Sequence, residues 1–452
     1  MYGAEWWRRV PPELPRPDGE LGIDDYMQQF VRRGAIDEEA CYAASGYLSQ
    51  QAPVTHGTHV MDAATGRPDP QCTPGAPDTA PDEADIVFVQ LPRFVDGRQV
   101  SDLLRTFVLD AVHYIFRNAE AKTPVTINLS YGAYAGAHDG SALLDKALDA
   151  VIAARRAAGG QTDIVIAGGN GADQAAHVQI DIAPHARESV VWQNPADNPT
   201  DQFAEFWFDA AADCNLRVTP PGAVPDPAGW VGRGHWHEMA HLGSPQALQV
   251  FPLELGQSSG HRMALLAVSP TAAPRGRAAA PYGRWTVEIE NRSGAAARVS
   301  AWAERDDPVF QSGSGPWQAR FKGPHVTCED TLNSLAQGDL TITVGGFVQG
   351  SGRQPPYSAR GPTTAGTKLR PEWLAMCEES EALAGIAAAA VIGQERVRLP
   401  GTSVAAAVAT RWVVDARRRD RTQLGPVAPP PVGEDADGQY RMPRVPSQLG
   451  TP

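Results

Sequence analysis

Three short segments of this 452-residue chain carry residue types that together could perform acyl transfer. His56 lies in HGTHV, Asn170 in VIAGGNG and Ser403 in GTSVAAA. A histidine can act as a general base near neutral pH, and a carboxamide can donate an uncharged N–H to a developing oxyanion. A serine at the start of a helix exposes its hydroxyl beside backbone N–H groups that stabilise negative charge. The three residues therefore predict nucleophilic attack by Ser403 on a carbonyl carbon.

Apolar runs alternate with amphipathic segments on both sides of these residues. The strands that this pattern predicts are 85–91, 124–130, 163–169 and 340–347. The predicted helices are 24–33, 37–48, 101–118, 141–158 and one that begins near Ser403. Strands buried on both faces and separated by helices of ten or more residues are typical of a parallel sheet covered on both sides. Asn170 would follow one such strand, and Ser403 would begin a helix.

The helical period is absent from about residue 180 to residue 316. Alternating apolar and polar residues, separated by Pro and Gly loops, are typical of an antiparallel β sandwich. We expect Trp207, Trp285 and Trp302 to face the core of this sandwich. The predicted parts of the chain are an α/β domain formed by 1–177 and 318–424, a β-rich insertion at 178–317 and a disordered, proline-rich tail at 425–452.

Four motifs, in this order along the chain, resemble those of the subtilases, the subtilisin-like serine peptidases. HGTHV resembles the histidine motif of the family, INLSYG its substrate-binding strand, VIAGGNG its oxyanion asparagine region and GTSVAAA its nucleophile motif. The resemblance covers roughly residues 50–177 and 325–415. It implies a three-layer α/β fold, with a mostly parallel sheet between helices, that carries the β-rich insertion. It also implies a serine endopeptidase that hydrolyses peptide bonds through an acyl-enzyme.

The resemblance implies a role for each matching residue. Ser403 would be the nucleophile, His56 the general base and then the acid, and Asn170 an oxyanion donor together with the Ser403 backbone N–H. His59 matches the second, structural histidine of the motif. The substrate-binding residues that the motifs imply are Ser130, Tyr131, Gly132, Ala167, Gly168 and Gly169. Ala407 stands where the family has a proline, and we expect a straighter helix start with little effect on the chemistry.

The catalytic aspartate is the residue for which the chain offers no matching motif. In the family this aspartate ends an apolar strand before the histidine motif, and no such strand precedes His56. Asp24 lies at a plausible distance from His56, but its local pattern favours the N-cap of the helix at 24–33. We therefore expect the aspartate strand upstream of Met1 or on a separate N-terminal segment, with Asp24 as the candidate acid of this chain.

Two other functions stay open. A chain with this fold and no catalytic aspartate could be a silent binding or scaffold protein. HEMAH, residues 237–241, matches the H-E-x-x-H pattern in which two histidines one helical turn apart bind zinc. The motif lies in the β-rich insertion and lacks the extended form of that pattern. We interpret it as an exposed loop with a chance match, which leaves a zinc hydrolase as the minor alternative.

The composition limits the classes of partner and compartment. The formal net charge is −13, whereas nucleic acids and anionic membranes select clusters of lysine and arginine, so we expect a protein or peptide substrate. The five cysteines lack paired spacing, which predicts neither a disulfide framework nor a structural zinc site. With no signal peptide and no apolar run that spans a bilayer, we expect a cytoplasmic protein. We expect no cofactor, and no motif indicates a structural calcium ion.

Overall fold

The chain divides into two compact units, which are residues 1–66 with 387–399 and residues 67–386 with 400–452. The computed structural model describes residues 31–32, 35–36, 54–66, 84–91, 94–95, 98–99, 104–241, 244–251, 261–272, 279–306, 318–361, 370–391, 396–420, 422–434 and 441–446.

The smaller unit begins, among its described residues, with a pair of short strands. β1 (Val31–Arg32) pairs antiparallel with β2 (Ala35–Ile36). This pairing contradicts the end of the predicted helix at 24–33, because residues 31–32 bond to another strand and not to a preceding helical turn; residues 24–30 and 33 lie outside the described residues. Asp24 and the predicted helix at 37–48 lie outside the described residues.

The histidine motif of the smaller unit forms a helix. This helix, α1 (His56–Thr65), is joined by a hydrogen bond to a pair of strands, β19 (Ile386–Ala389) and β20 (Arg396–Leu399). The carboxylate of Asp62 accepts the N–H of Ala389 at 2.8 Å. Asp62 therefore links α1 to a strand that lies 327 residues later in the sequence.

A four-stranded parallel sheet organises the α/β part of the larger unit. Its strands are β5 (Val125–Leu129), β6 (Thr162–Ala167), β17 (Ile342–Val348) and β18 (Trp373–Glu378). Their order across the sheet is β18, β17, β6, β5, and each neighbouring pair is parallel. These strands confirm the predictions for 124–130, 163–169 and 340–347. Their carboxyl ends lie at one edge of the sheet, where ligand sites of such folds usually form.

Helices cover both faces of this sheet. They are α2 (Leu104–Arg117), α3 (Leu143–Ala157) and α4 (Thr402–Arg419). Ile164 and Ile166 of β6 pack in the apolar cluster of α2 and α3. Val165 and Ala167, which alternate with them, pack with the buried alanines of α4. The apolar run of β6 is thus buried on both faces, and α4 continues without a break through the position of Ala407.

The predicted strand at 85–91 is not a strand in the structure. Residues 84–91 have no regular secondary structure, and Ile86, Val87 and Phe88 are 50%, 38% and 52% exposed. An apolar run becomes a strand only where a neighbour pairs with its backbone, and the described strands include none that pairs here. Two short strands, β3 (Phe94–Val95) and β4 (Arg98–Gln99), follow and pair with each other.

Two antiparallel sheets form a β sandwich in the middle of the chain. The first sheet has the order β11, β12, β13, β9, β15, β7, and the second has the order β10, β14, β8, β16. These strands are β7 (His177–Ile182), β8 (Arg187–Asn194), β9 (Gln202–Asp209), β10 (Cys214–Thr219), β11 (Trp236–His241), β12 (Ser244–Phe251), β13 (His261–Val268), β14 (Gly283–Asn291), β15 (Ala297–Ala303) and β16 (Arg320–Lys322). The inward residues of β7 to β10 and of β13 to β16 share one apolar cluster, as the alternating pattern predicts.

The three tryptophans expected in the sandwich core do not share one environment. Trp285 of β14 is fully buried in the core between the sheets. Phe206 and Phe208 of β9 face this core, so Trp207 lies on the opposite side of the strand. Trp302 of β15 is 2% exposed and therefore buried as expected, although it packs outside the cluster between the sheets, so the expectation is wrong for Trp207 alone.

The HEMAH segment lies in a strand and not in a loop. Residues 237–241 belong to β11, which pairs antiparallel with β12. Four residues of strand separate two Cα atoms by about 13 Å, whereas the zinc motif needs two histidines on one helical turn. Both the expected loop and the geometry of the zinc-hydrolase alternative are therefore contradicted. Among the described residues, no group of three His, Cys, Asp or Glu side chains could hold a metal ion.

Part of the expected disordered tail is folded. β21 (Val432–Glu434) and β22 (Arg441–Pro443) pair with each other, and Val427 and Val445 are buried in the α4 cluster. The prediction at 425–452 is therefore wrong for 425–434 and 441–446, because valines spaced between the prolines supply apolar contacts. The rest of that range lies outside the described residues. No helix in the described part of the chain is long and apolar enough to cross a membrane.

Candidate active site

A cavity of about 310 Å³ lies where β5, β6 and α4 meet in the larger unit. It is lined by residues that follow β5 and β6 and by the first residues of α4. Seven of the candidate site residues line it, namely Ser130, Tyr131, Gly132, Ala167, Gly169, Asn170 and Ser403. Gly168 is not one of the lining residues, although both of its neighbours are. Three distant motifs of the sequence thus converge at one edge of the parallel sheet.

Ser403 is the second residue of α4 and is held close to the end of β5. Its Oγ donates to the carbonyl oxygen of Ser130 at 3.2 Å, and the Ser130 hydroxyl donates to the Ser403 carbonyl oxygen at 2.9 Å. The backbone N–H of Ser403 precedes the first bonds of the helix, which Val404 and Ala405 donate to the carbonyl oxygen of Gly401, so it has no acceptor within the helix. The hydroxyl therefore lies at the positive end of a helix dipole, which favours negative charge at that place.

The side chain of Asn170 is oriented by Thr402. Its Oδ1 accepts the Thr402 N–H and the Thr402 hydroxyl, each at 2.9 Å. The Thr402 Oγ1 also accepts the N–H of Gly169 at 3.0 Å. Because Oδ1 is the atom that both donors reach, Nδ2 is the amide atom that can donate to a ligand in the cavity.

The residue before α4 must be a glycine for two reasons. Gly401 has a φ of 127°, which is a left-handed conformation that residues with a Cβ rarely adopt. A Cβ at this position would also lie 3.1 Å from Nδ2 of Asn170. Gly401 therefore allows the start of α4 to approach the asparagine.

The structure adds a residue that the sequence motifs do not indicate. Asn333, which is 2% exposed, donates from Nδ2 to the carbonyl oxygens of Tyr131 at 2.9 Å and Ala167 at 3.1 Å. Its Oδ1 accepts the N–H of Ala133 at 3.2 Å and of Leu335 at 3.0 Å. The surrounding segment, TLNSLA, mixes polar and apolar residues as a turn would, so nothing in the sequence indicated this position.

The β sandwich contributes another wall of the cavity. Arg305, Asp306 and Gln318 line it, and the Arg305 guanidinium lies 5.4 Å from the centroid of the Tyr131 ring. The Glu304 carboxylate accepts the N–H of Tyr134 at 2.8 Å, which ties the segment after β5 to the end of β15. Burial raises the pKa of Glu304 to about 7. The motifs of the α/β part gave no sign of these residues.

Trp302 connects the sandwich to His138, which follows the cavity-lining residues 130–134 in the chain. The rings of His138 and His177 stack on it, with centroids 4.1 and 4.5 Å away. Its Nε1 donates to the carbonyl oxygen of Asp330 at 2.8 Å. Burial lowers the pKa of His138 to about 3 and the pKa of His177 to about 4, so both rings are neutral near pH 7.

The remaining candidate residues lie elsewhere. His56 is the first residue of α1 in the smaller unit, after the N-cap Thr55, and His59 is fully buried. The pairing of His56 with Ser403 therefore stays a prediction. Asp24 lies outside the described residues, so its role as an acid stays a prediction as well.

Comparison with known proteins gives a likeness in fold. No family model matches the chain, and no curated protein matches it. Among solved structures, the Clostridium perfringens CspB protease is similar, with a TM-score of 0.56 and 17% sequence identity. The alignment covers 70% of this chain and 61% of that chain, so the likeness spans less than two thirds of that protease. The likeness shows the fold alone.

Proposed function

We propose that this chain is a subtilisin-like serine endopeptidase that hydrolyses peptide bonds through an acyl-enzyme on Ser403. The observation that carries the proposal is the Asn170 amide, whose oxygen is held by Thr402 beside the nucleophile candidate. Such an arrangement leaves one side-chain N–H and one helix N–H for a single oxyanion. The order of the four subtilase motifs and the fold shared with a protease support the same function.

The proposed reaction begins with attack of Ser403 Oγ on the substrate carbonyl carbon while His56 accepts the hydroxyl proton. The C=O electron pair moves to the oxygen, which accepts hydrogen bonds from Asn170 Nδ2 and the Ser403 N–H. Protonated His56 then gives its proton to the leaving amine as the C–N bond breaks. Water attacks the resulting ester in the same way and releases the acid. The Ser403 hydroxyl must first release its hydrogen bond to the Ser130 carbonyl oxygen, so that its proton can turn towards His56.

The backbone of Gly132 is the proposed partner of the substrate backbone. Its N–H and C=O have no hydrogen-bond partner among the described residues, and the residue lines the cavity. An extended peptide could pair with them as an added strand. This mode fits a protein or peptide substrate and binds main-chain atoms, so it requires no particular side chain.

The acid that would orient His56 is proposed to come from a separate N-terminal segment that carries the aspartate strand. β5 is the outermost strand of the parallel sheet in the part of the chain that the structure describes, so its outer edge is a suitable place for such a strand. Without an acid, the imidazole loses its orientation and turnover falls steeply. Addition of a synthetic segment with an apolar strand that ends in aspartate and glycine should then raise the turnover of the isolated chain.

A fluorophosphonate probe tests the proposed function, because it reacts with an activated serine. We expect labelling of the wild-type protein, loss of labelling in Ser403→Ala and a reduced rate in His56→Ala. Ser293→Ala, in the β sandwich, is the matched control and should label at the wild-type rate. The proposal fails if the wild-type protein is not labelled or if labelling persists in Ser403→Ala.

A binding or scaffold protein on the same fold is the second candidate. The observation that favours it is the missing aspartate motif before His56. In that case fluorescein-labelled casein would bind to the protein without being cleaved. The same probe separates the two functions, because a scaffold would leave Ser403 unlabelled even when casein binds.

A further inference from the structure

The side chain of Asn333 lies between two backbone segments that border the cavity. Its two N–H groups bind the carbonyl oxygens of Tyr131 and Ala167, and its oxygen accepts the N–H groups of Ala133 and Leu335. A carboxamide has two donors and two main acceptor positions, so its hydrogen-bonding capacity is fully used. The backbone N–H of Asn333 adds a fifth bond, to the carbonyl oxygen of Gly168 at 2.6 Å.

We propose that Asn333 is a positioning residue that holds the backbone of Gly132 in register for the substrate peptide. The inference rests on the proposed peptidase function. Asn333 acts through residues 131–133, because its hydrogen bonds go to the backbone and not to the candidate nucleophile or oxyanion donor.

The direction of the backbone groups carries this proposal. In an extended segment, the N–H and C=O of one residue point to the same side of the chain. The C=O of the preceding residue and the N–H of the following residue point to the opposite side. Asn333 binds the C=O of Tyr131 and the N–H of Ala133, as a neighbouring strand would do. The N–H and C=O of Gly132 are therefore directed away from Asn333, where a peptide can pair with them.

The identity of residue 132 agrees with this arrangement. A Cβ at Gly132 would overlap the Asn333 carboxamide, so the close approach of the side chain requires a glycine. The same carboxamide also binds Ala167 of β6, which sets the distance between the two segments. Asn333 thus fixes both the direction and the place of the substrate-binding backbone.

Asn291 provides a matched control for a buried asparagine. It is fully buried in the β sandwich, where Nδ2 donates to the carbonyl oxygens of Ile182, Ala183 and Ala295. Its Oδ1 accepts bonds from Ser293. Asn291→Ala therefore removes five hydrogen bonds, against four for Asn333→Ala, but it removes none from the residues that line the cavity.

The test compares Asn333→Ala with Asn291→Ala in cleavage of fluorescein-labelled casein, in fluorophosphonate labelling and in thermal unfolding. Both variants should lose stability. Only Asn333→Ala should raise KM, by about tenfold to a hundredfold, with a smaller change in kcat. Its labelling rate should stay within about twofold, because a compact phosphonate does not need the Gly132 backbone. An unchanged KM in folded Asn333→Ala, or an equal rise in Asn291→Ala, overturns the inference.

Asn333→Asp serves if Asn333→Ala does not fold. It has the same shape and keeps the oxygen that accepts from Ala133, but an ionised carboxylate cannot donate to Tyr131 or Ala167. We expect the KM for casein to rise as in Asn333→Ala, and a wild-type KM overturns the inference.

Binding without chemistry separates this inference from the proposed function. In a Ser403→Ala protein, casein affinity measured by fluorescence anisotropy should fall about tenfold or more when Asn333→Ala is added. If the wild-type enzyme is neither labelled nor active but this difference is found, the peptidase proposal fails and the role of Asn333 stands. If Ser403→Ala binds casein equally well with and without Asn333→Ala, or does not bind it at all, the positioning role fails.

Discussion

Asn170 accepts two hydrogen bonds from one residue, Thr402, through the N–H and the hydroxyl, each at 2.9 Å. Asn170 follows β6 and Thr402 begins α4, so the pair joins a strand end to a helix start across more than half of the chain. Thr402 also accepts the N–H of Gly169, which fixes the backbone on the other side of the amide. The orientation of the amide is thereby set before any substrate is bound, which is what preorganised oxyanion stabilisation requires.

Replacement of Asn170 by alanine should lower kcat and leave KM nearly unchanged. The side chain would donate only to the oxyanion that forms in the transition state, and loss of one such donor costs about 10² to 10³ in kcat. Steady-state cleavage of labelled casein measures both constants. Asn118→Ala, near the end of α2 and outside the cavity lining, is the control and should retain wild-type kinetics. A rise in KM alone would assign Asn170 to substrate binding instead.

Gly401→Ala should lower both stability and activity. The left-handed conformation of Gly401 costs about 1 to 2 kcal/mol for a residue with a Cβ, and this Cβ would press on Nδ2 of Asn170. Gly159→Ala is a close control, because Gly159 has a φ of 87° and no atom within 4 Å of the added Cβ. Urea unfolding should show similar losses in the two variants. Fluorophosphonate labelling should slow only in Gly401→Ala, and equal labelling rates would contradict the proposed contact.

The α/β part of the fold could be predicted from the sequence because its signals are local. The apolar residues of 163–169 are continuous, as expected for a strand between two helical layers, and Ile164 and Val165 pack on opposite faces. The same local signal failed at 85–91, where an equally apolar run has no neighbouring strand among the described residues. It also failed at Val427 and Val445, whose burial depends on the surface of α4 and not on their proline-rich surroundings.

Only part of the candidate site could be predicted in this way. Asn170 and Ser403 stand at a strand end and a helix start, so both local pattern and resemblance indicate them. Asn333 and Glu304 act on a segment that lies 170 or more residues earlier in the chain. Their positions depend on how the sandwich packs against that segment. Trp302 shows the same limit, since alternation gives two faces of a strand but not which face meets another part of the protein.

Arg417→Ala should release the folded residues after α4. Arg417 forms a buried ion pair with Asp163, with distances of 2.6 and 2.8 Å, and donates to the carbonyl oxygens of Gln423 and Gly425. Its removal leaves a buried carboxylate with a weaker partner, which costs about 3 to 5 kcal/mol. Urea unfolding measures this loss, and limited proteolysis should cut after residue 420 first. Arg418→Ala, at an exposed position, should change neither property.

Glu304→Gln should flatten the dependence of stability on pH between 5 and 7. Burial raises the pKa of Glu304 from 4.5 to about 7, with Glu205 raising it further and Arg105 lowering it. The folded state holds the Glu304 proton more tightly than the unfolded state, so the bound proton adds to the free energy of unfolding. This contribution is complete below pH 4.5 and is lost as the pH rises through 7. The glutamine keeps an oxygen for the N–H groups of Tyr134 and Arg305 but does not titrate. Urea unfolding at several pH values should show a slope reduced by up to about 1.4 kcal/mol per pH unit, and a slope equal to that of the wild type would show that Glu304 is ionised throughout this range.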